Sequence, residues 1–430
     1  MNYGDTVSLA TKETTYEGIL MPRPEMLAKG FLVLKLENGY NIGIAEKDII
    51  SSKIIIQHKE EKQEKKETTS KKGKDTVVIL STGGTISSSI DYSSGGVKAV
   101  SYTASDFAEM CVEATKDISI EAKTIMQVMS EDVDFTDMHT IAKEIIPYLK
   151  RDDVKGIVVT TGTDMLHFIS AGLSFLLKDI SKPVILTAAQ RSIDRGSSDA
   201  FMNLSCAITA AHKWDGAEVV TCLHESSDDD MCLLIRGTKV RKMHTSRRDA
   251  FRPINILPFA KVSYKTQEIT PVFSEYIKRN TTQPILEKQF SDAVEMIYVY
   301  PHMDGSSISH FVKKGVKGIV IAGTALGHVP TAGKGNILNY IKEAVDKGVI
   351  VVIATQTLYG RTHPFVYTNL RKLSVNLGCL FASDMLPETA YIKLSYLFGN
   401  EKDVSRIKEL FTKNLRGEIV DNLDAKSFLY

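Results

Sequence analysis

Short β-rich runs separated by turn signals occupy the first 57 residues of the chain. The runs lie at 5–10, 15–21, 30–36, 41–45 and 53–56. An Asn-Gly pair at 38–39 is typical of a hairpin turn. Five short strands in this space predict a small barrel or a tightly curled sheet. No group of catalytic side chains stands out in this β-rich module, so the pattern favours docking or binding over catalysis.

Beyond residue 75 the pattern changes to short, almost continuously apolar runs that alternate with helical periodicity. This order is typical of parallel sheets covered by helices on both faces. The predicted strands and helices of a first set lie at 77–80, 105–114, 137–149, 156–160, 164–177, 184–188, 198–211, 218–223 and 231–235. Those of a second, shorter set lie at 296–300, 318–322, 336–347, 349–354 and 387–397. The sequence therefore predicts an α/β fold with two doubly wound parallel-sheet units, at 76–285 and 286–430.

A highly charged segment, residues 58–75, separates the β-rich module from these units, and 12 of its 18 residues are Lys, Glu or Asp. Such a composition has little to bury and predicts a solvated linker.

Over the whole chain, 53 Lys and Arg balance 52 Asp and Glu, which excludes a wholly basic nucleic-acid coat. Five cysteines without CxxC spacing, and no run typical of a signal peptide or a membrane span, predict a cytoplasmic protein with reduced thiols.

Two segments place glycine and hydroxyl residues at the ends of predicted strands, where parallel sheets collect their ligands. In S-T-G-G-T-I (81–86), the glycine pair either exposes Thr85 above the sheet or simply turns the chain. In the second segment, Thr163 and Asp164 either cap the next helix or take part in substrate binding and proton transfer.

A third segment, 236–245, follows another predicted strand and contains Lys239 and Lys242. A desolvated lysine beside a threonine can act as a base or proton relay, and the residues alone do not choose between the two lysines. Neither GxGxxG nor GxxxxGK[ST] is present in the chain, which weakens a nucleotide-binding interpretation.

Together these segments resemble the motifs of the L-asparaginase/glutaminase family. The matching motifs are S-T-G-G-T-I (81–86), T-T-G-T-D (160–164), V-R-K-M-H-T (240–245) and A-G-T-A-L-G-H-V-P (322–330). The resemblance covers about residues 75–430. It implies hydrolysis of a free amino-acid amide, glutamine or asparagine, to ammonia and the acid, without a metal or an organic cofactor.

The resemblance implies roles for four residues. Thr85 and Thr163 are the two threonines, and Thr85 would attack the amide carbon to form an acyl-enzyme, although the sequence does not decide which threonine attacks first. Asp164 would bind the ammonium of the substrate, and Lys242 would assist Thr163 or the attacking water. Met165 departs from the family's commoner G-T-D-T and removes one hydroxyl beside the site.

By the same resemblance, three further residues would complete the site. A tyrosine from 87–103 would help to activate the nucleophile, and Tyr92 is preferred to Tyr102 because it lies closer to the family's lid tyrosine. Ser130 and Glu131 would hold the α-carboxylate and α-amino groups of the substrate. A polar loop or a helix cap is an equal alternative for these two residues.

The β-rich module and the charged linker distinguish the chain from free-standing members of the family. Together with D-Y-S-S-G-G-V (91–97), this architecture resembles the D subunits of archaeal glutamyl-tRNA(Gln) amidotransferases. The resemblance implies a glutaminase that supplies ammonia to an E subunit. That partner binds the misacylated tRNA(Gln) and activates its glutamate with ATP and Mg, whereas this chain binds no cofactor. The implied assembly is a homodimer of this chain within a heterotetramer.

Two other hypotheses stay open at this point. One is a free-standing L-asparaginase/glutaminase whose leading module is an addition without a role in catalysis. The other is a noncatalytic α/β protein that binds a nucleotide or tRNA. The presence of all four expected side chains makes the noncatalytic hypothesis the least favoured.

Overall fold

The structure is a computed structural model that describes residues 1–22, 29–57, 68–70, 73–84, 88–90, 97–99, 102, 104–193 and 195–430. In it, five antiparallel strands form the β-rich module. The strands are β1 (Thr6–Thr11), β2 (Thr15–Met21), β3 (Phe31–Lys35), β4 (Asn41–Ala45) and β5 (Ile49–Ile56), in the sheet order β4-β3-β2-β1-β5. Alternate residues of β1, Val7 and Leu9, lie on one face of the sheet. They form a small core there with Leu20, Leu34 and Ile44. The predicted β-rich module is confirmed.

The N-terminal half of the body combines one large sheet with helices. Its strands are β6 (Thr68–Ser70), β7 (Thr76–Ser81), β8 (Ser88–Ile90), β9 (Val97–Ala99), β10 (Ser119–Thr124), β11 (Val154–Thr160), β12 (Leu177–Lys178), β13 (Val184–Thr187), β14 (Val219–His224), β15 (Met231–Arg236), β16 (Val240–Lys242), β17 (Phe251–Pro253), β18 (Ala260–Ser263), β19 (Ile269–Pro271) and β20 (Ile285–Leu286). Its helices are α1 (Ala104–Met110), α2 (Val112–Thr115), α3 (Phe135–Leu149), α4 (Leu166–Leu176) and α5 (Ala200–Lys213).

The large sheet has nine strands in the order β19-β18-β15-β14-β13-β11-β7-β10-β6. The strands from β14 to β10 run parallel, whereas β15, β18 and β19 at one edge and β6 at the other are antiparallel. Residues of β7 alternate between the two faces. Val78 and Leu80 pack with α3 and α4, whereas Val77 and Ile79 pack with α1 and α5. Helices therefore cover both faces of the sheet, as the continuously apolar strands predict.

The C-terminal half contains a smaller parallel sheet of β21 (Val294–Tyr298), β22 (Gly318–Gly323), β23 (Ile350–Thr355) and β24 (Leu380–Phe381), in that order. Its helices are α6 (Ser306–Lys314), α7 (Leu338–Asp346), α8 (Thr368–Arg371), α9 (Pro387–Asn400) and α10 (Val404–Phe411). Short 3-10 turns lie at Glu46–Asp48, Ser130–Asp132, Gly333–Gly335 and Ala425–Ser427, and a π-helical turn lies at Lys372–Asn376. Ile392 and Leu394 of α9 share one core cluster with Ile169 and Leu173 of α4, so the two halves pack together.

The predicted α/β class with two sheet units is confirmed, and the structure differs from the prediction in local features. The run at 231–235 forms β15, which is antiparallel to β14. The connection between them is short, whereas a parallel neighbour needs a long crossover. Residues 68–70, inside the predicted linker, form the edge strand β6, which the pattern does not predict. This strand pairs with β10. Edge pairing of this kind uses backbone groups and needs no apolar side chains. Within the described part of the chain, every helix is too short or too polar to cross a membrane.

Candidate active site

The ends of β7 and β11 bring two glycine-containing loops side by side. The strands are parallel neighbours with Ser81 opposite Thr160, and the Thr82 amide donates to the Thr160 carbonyl across 3.0 Å. The Thr161 amide donates to the Thr187 carbonyl, at the end of β13, across 3.1 Å. The carboxyl ends of three adjacent strands therefore meet at one edge of the sheet, where parallel sheets bind ligands.

Close backbone packing between these loops leaves no room for side chains at two glycines. Gly84 has a φ of +79°, and a Cβ atom on it would lie 2.3 Å from the backbone nitrogen of Gly162. A Cβ atom on Gly162 would lie 2.5 Å from the Ser130 hydroxyl. Only glycine fits at these two positions, and the loops after β7, β10 and β11 contact one another. Thr85 follows Gly84 directly in the sequence but, like Tyr92, lies outside the described residues.

Lys242, at the end of β16, reaches two of the predicted site residues. Its ammonium donates to Thr163 Oγ1 across 2.8 Å and forms an ion pair with Asp164 Oδ1 at 2.7 Å. The Lys242 side chain is 11% exposed and Thr163 is buried, whereas the Asp164 side chain is 62% exposed. The tertiary structure thus collects residues up to 79 positions apart and leaves one carboxylate accessible to a ligand.

Helix capping, the alternative interpretation of Thr163 and Asp164, does not describe what these side chains do. Helix α4 begins at Leu166, and its N-cap residue is Met165. Among the described residues around this N-terminus, no side chain accepts a capping hydrogen bond. The Asp164 amide instead donates to Ser130 Oγ across 3.1 Å. The Thr163 hydroxyl and the Asp164 carboxylate are therefore available for their contacts with the lysine.

Ser130 contacts a predicted site residue, and Glu131 follows it in the same turn. Ser130 is buried in the turn Ser130–Asp132, where its hydroxyl contacts the Asp164 amide. Glu131 follows in the same turn and is exposed. Substrate binding by these two residues stays a prediction, and the position of Ser130 beside Asp164 is compatible with it.

Lys239 and Lys242, the two lysines of the third segment, have different partners, and the family motif implies Lys242. Lys239 is fully buried and forms an ion pair with Asp384 of the C-terminal half. Burial lowers the pKa of the Lys239 ammonium, and the neighbouring Asp384 carboxylate opposes this shift. Of the two lysines, Lys242 is therefore the one that belongs to the candidate site, because it contacts Thr163.

His167, in the first turn of α4, is a neighbour of the site that the sequence motifs do not indicate. Its side chain is buried, and its Nε2 accepts from Arg241 Nη1 at 3.4 Å. Burial, followed by the positive charges of Arg241 and Lys242, lowers the pKa of His167 to about 3. Its Nδ1 is buried without a hydrogen-bond partner among the described residues. The imidazole is therefore neutral, and the one sequence signal for it is a histidine three positions after Asp164.

Other features lie away from this group. Tyr102, the tyrosine not preferred as the helper, packs against Phe107 in a core cluster with ring centroids 5.9 Å apart. A cavity of about 880 Å³ is lined by residues that include Arg236, Asn255 and Arg416, and none of the predicted site residues lines it. Among the described residues, no group of three or more His, Cys, Asp or Glu is arranged to hold a metal ion.

Two consecutive α/β units, with a threonine, a lysine and an aspartate gathered at the carboxyl edge of the first sheet, define the asparaginase class of α/β proteins. Comparisons with known families agree. The family description "Asparaginase, N-terminal" matches residues 76–272, and "Glutaminase/Asparaginase C-terminal domain" matches residues 293–411. The description "GatD N-terminal domain" matches residues 1–55, which are the β-rich module.

Similar proteins match along nearly the whole chain. The D subunit of the glutamyl-tRNA(Gln) amidotransferase of Pyrococcus abyssi is 41% identical over 97% of this chain and 95% of its own length. The protein of the same name from Methanobrevibacter smithii is 39% identical over 99% of this chain and 96% of its own length. The chain belongs to the family of the glutamyl-tRNA(Gln) amidotransferase D subunits, and the predicted family is confirmed.

A solved structure supports the asparaginase-type fold of the body. The thermostable L-asparaginase from Thermococcus kodakarensis superposes with a TM-score of 0.71 at 28% sequence identity. The match covers 81% of this chain and 100% of that asparaginase. A complete asparaginase thus corresponds to part of the chain, which is longer.

Proposed function

We propose that this chain hydrolyses glutamine and supplies the ammonia to a partner subunit, which uses ATP to convert Glu-tRNA(Gln) to Gln-tRNA(Gln). The observation that carries the proposal is the contact of the Lys242 ammonium with both Thr163 and Asp164 at the carboxyl edge of the sheet. Full-length similarity to D subunits, including the match over residues 1–55, favours this function over that of a free-standing asparaginase.

Substrate binding begins at Asp164, whose carboxylate binds the α-ammonium of glutamine. This role is supported by the exposure of the Asp164 side chain, which is held in place by Lys242 on one oxygen. Ser130 and Glu131 bind the α-carboxylate and α-amino groups from the adjoining turn. The contact between Ser130 Oγ and the Asp164 amide supports a shared binding pocket, because it holds the two loops in register.

Hydrolysis proceeds in two steps. Thr85, assisted by Tyr92, attacks the side-chain amide carbon; the new C–O bond forms, the C–N bond breaks, and ammonia leaves an acyl-enzyme. Water then attacks the ester carbon and releases glutamate, which restores the Thr85 hydroxyl. Thr163 and Lys242 provide the proton path, because the lysine is hydrogen-bonded to a hydroxyl that can pass a proton to the leaving nitrogen or accept one from water.

Backbone amides around Gly84 and Gly162 stabilise the negative charge that develops on the amide oxygen. Preorganised amides at such a position contribute strongly to acyl transfer. The close packing of the two glycines supports this role, because it fixes the direction of both loops without intervening side chains.

The partner is an E subunit, which binds most of tRNA(Gln) and uses ATP and Mg, and this chain binds no cofactor of its own. The assembly is a homodimer of this chain within a heterotetramer, in the cytoplasm. A formal net charge of +1 suits a subunit that leaves most RNA contact to its partner. The β-rich module serves docking, and a hydrogen bond of 2.6 Å between Tyr40 and Ser197 connects it to the body.

Ammonia release from glutamine and from asparagine tests the proposal, with and without the E subunit, Glu-tRNA(Gln) and ATP. We expect glutamine hydrolysis to depend on the partner and Thr163→Val to abolish it while the chain stays folded. Asparagine hydrolysis that is indifferent to the partner would instead identify a free-standing asparaginase.

Mass spectrometry of the trapped acyl-enzyme decides whether Thr85 or Thr163 attacks first. Deletion of residues 1–57 should reduce coupling to the partner more than it affects the fold of the body.

A further inference from the structure

The strand that carries Lys242 lies between the start of α4 and the C-terminal half of the body. Side chains of a strand alternate between its two sides. Val240 packs in one core cluster with Leu166, the first residue of α4, and Lys242 contacts Thr163 just before that helix. One side of β16 therefore faces the candidate site.

The alternate residues, Lys239 and Arg241, are both paired with carboxylates of the C-terminal half. Lys239 forms an ion pair with Asp384, and the exposed fractions of the two side chains are 1% and 0%. The Lys239 ammonium also donates to the Asp384 carbonyl at 3.3 Å. Arg241 forms an ion pair with Glu388, in the first turn of α9, and this carboxylate is also buried. Lys239 and Arg241, which precede Lys242 in the sequence, are thus both paired with carboxylates of the other half, and Arg241 also contacts His167 in the first turn of α4.

Hydrogen bonds fasten the residues next to β16 to the same half. The Thr389 hydroxyl, on α9, donates to the Thr238 carbonyl across 3.1 Å. The Thr238 hydroxyl donates to the Arg416 carbonyl across 3.2 Å. Asn255, shortly after β17, donates to the Asp384 carbonyl across 3.1 Å. The short hairpin of β16 and β17 is therefore attached to the C-terminal half on both of its outer ends.

A shift of β16 by one residue would exchange its two sides and turn Lys242 away from Thr163. Such a shift would also separate buried charges from their partners, which is strongly unfavourable. We infer that Asp384 and Glu388 are positioning residues, which hold Lys242 in hydrogen-bonding register with Thr163 by pairing with Lys239 and Arg241. The inference rests on the proposed function, since it concerns the lysine of the proposed site.

The first test compares Glu388→Gln with Asp199→Asn, each in the full chain bound to its partner subunit. Asp199 is also buried and accepts hydrogen bonds from the backbone amides of Gln190 and Arg191, so this variant loses a buried carboxylate charge outside the contacts that hold β16. Glu388→Gln should lower kcat for glutamine by up to about 10²-fold, the scale of a misplaced catalytic group, with KM little changed. Asp199→Asn should keep the wild-type kcat at temperatures where it is folded.

The second test removes the charge pair at Asp384 without leaving a buried charge behind. Asp384→Asn alone would strand the Lys239 ammonium, so Lys239→Met is combined with Asp384→Leu, because apolar replacement of a buried pair preserves folding in many proteins. The double variant should fold and lose kcat as Glu388→Gln does.

Crystal structures of Glu388→Gln and of the double variant provide a readout that is independent of activity. We expect the distance from Lys242 Nζ to Thr163 Oγ1, 2.8 Å in the native chain, to exceed hydrogen-bonding range. Retention of this contact, or wild-type kcat in both variants, would overturn the inference. Failure of the wild-type complex to release ammonia would instead overturn the proposed function, and the crystallographic distance would still decide the positioning role.

Discussion

Replacement of Lys242 by methionine tests the candidate site directly, because it removes the ammonium and keeps most of the side-chain volume. In the native chain this ammonium lies 2.8 Å from Thr163 Oγ1 and 2.7 Å from Asp164 Oδ1. The substitution removes both contacts. Thr163 then loses the ammonium that the proposed proton path requires, whereas the Asp164 carboxylate keeps its access to solvent.

Activity and stability should respond to this change by very different amounts. A positioned proton-transfer group contributes roughly 10²–10⁴-fold to the rate, which equals about 3–5 kcal/mol of activation free energy. The lost ion pair contributes only about 0–1 kcal/mol to the free energy of unfolding, because the Asp164 side chain is 62% exposed and water screens the pair. Lys242→Met is therefore expected to be folded and almost inactive.

Ammonia release from glutamine and urea-induced unfolding measure the two effects. Lys239→Met is the matched variant, since it makes the same chemical change at the fully buried pair with Asp384. That change leaves a buried carboxylate unpaired and should lower the free energy of unfolding by about 3–5 kcal/mol. Wild-type glutamine turnover by Lys242→Met would refute the catalytic role. An equal loss of stability in the two variants would refute the reasoning from burial.

Two further predictions concern neighbours of the site. Because the pKa of His167 is about 3 in the folded chain and 6.5 ordinarily, the unfolded chain binds a proton at pH values where the folded chain does not. Stability should therefore fall as the pH drops from about 6.5 towards 3, by up to about 1.4 kcal/mol per pH unit. His167→Gln should flatten the dependence of the unfolding free energy on pH, measured by urea unfolding. An identical pH dependence in the variant and the native chain would contradict the lowered pKa of His167. Gly84→Ala should cost about 1–3 kcal/mol for its positive φ and more for the collision with Gly162. The control is Gly315→Ala, because Gly315 has a similar φ of +86° with open space around it, so that only the cost of the positive φ applies. Urea unfolding measures both variants, and equal losses of unfolding free energy would argue against the backbone collision at Gly84.

The local sequence is sufficient for much of the fold. The apolar run at 77–80 and the glycines after it predict a buried strand with a sharp turn, because a strand buried on both faces admits few polar residues. Thr163 and Asp164 are recognisable as site candidates for a similar reason, since they follow the next strand at the sheet edge. The antiparallel β15 and the edge strand β6 are not recognisable in this way. Strand direction depends on the path of the connection, and an edge strand pairs through backbone groups that all sequences share.

The site lysine shows most clearly what the local sequence pattern cannot predict. Lys239 and Lys242 stand three positions apart in one charged segment, and the local pattern determines only that a lysine follows the strand, whereas the family motif at 240–245 implies Lys242. The tertiary structure gives the physical reason, because the C-terminal half supplies Asp384 to Lys239 and the loop after β11 supplies Thr163 to Lys242. These partners lie 145 and 79 positions away along the chain. Local periodicity carries no information on which distant groups meet, since that depends on how whole sheets and helices pack against each other.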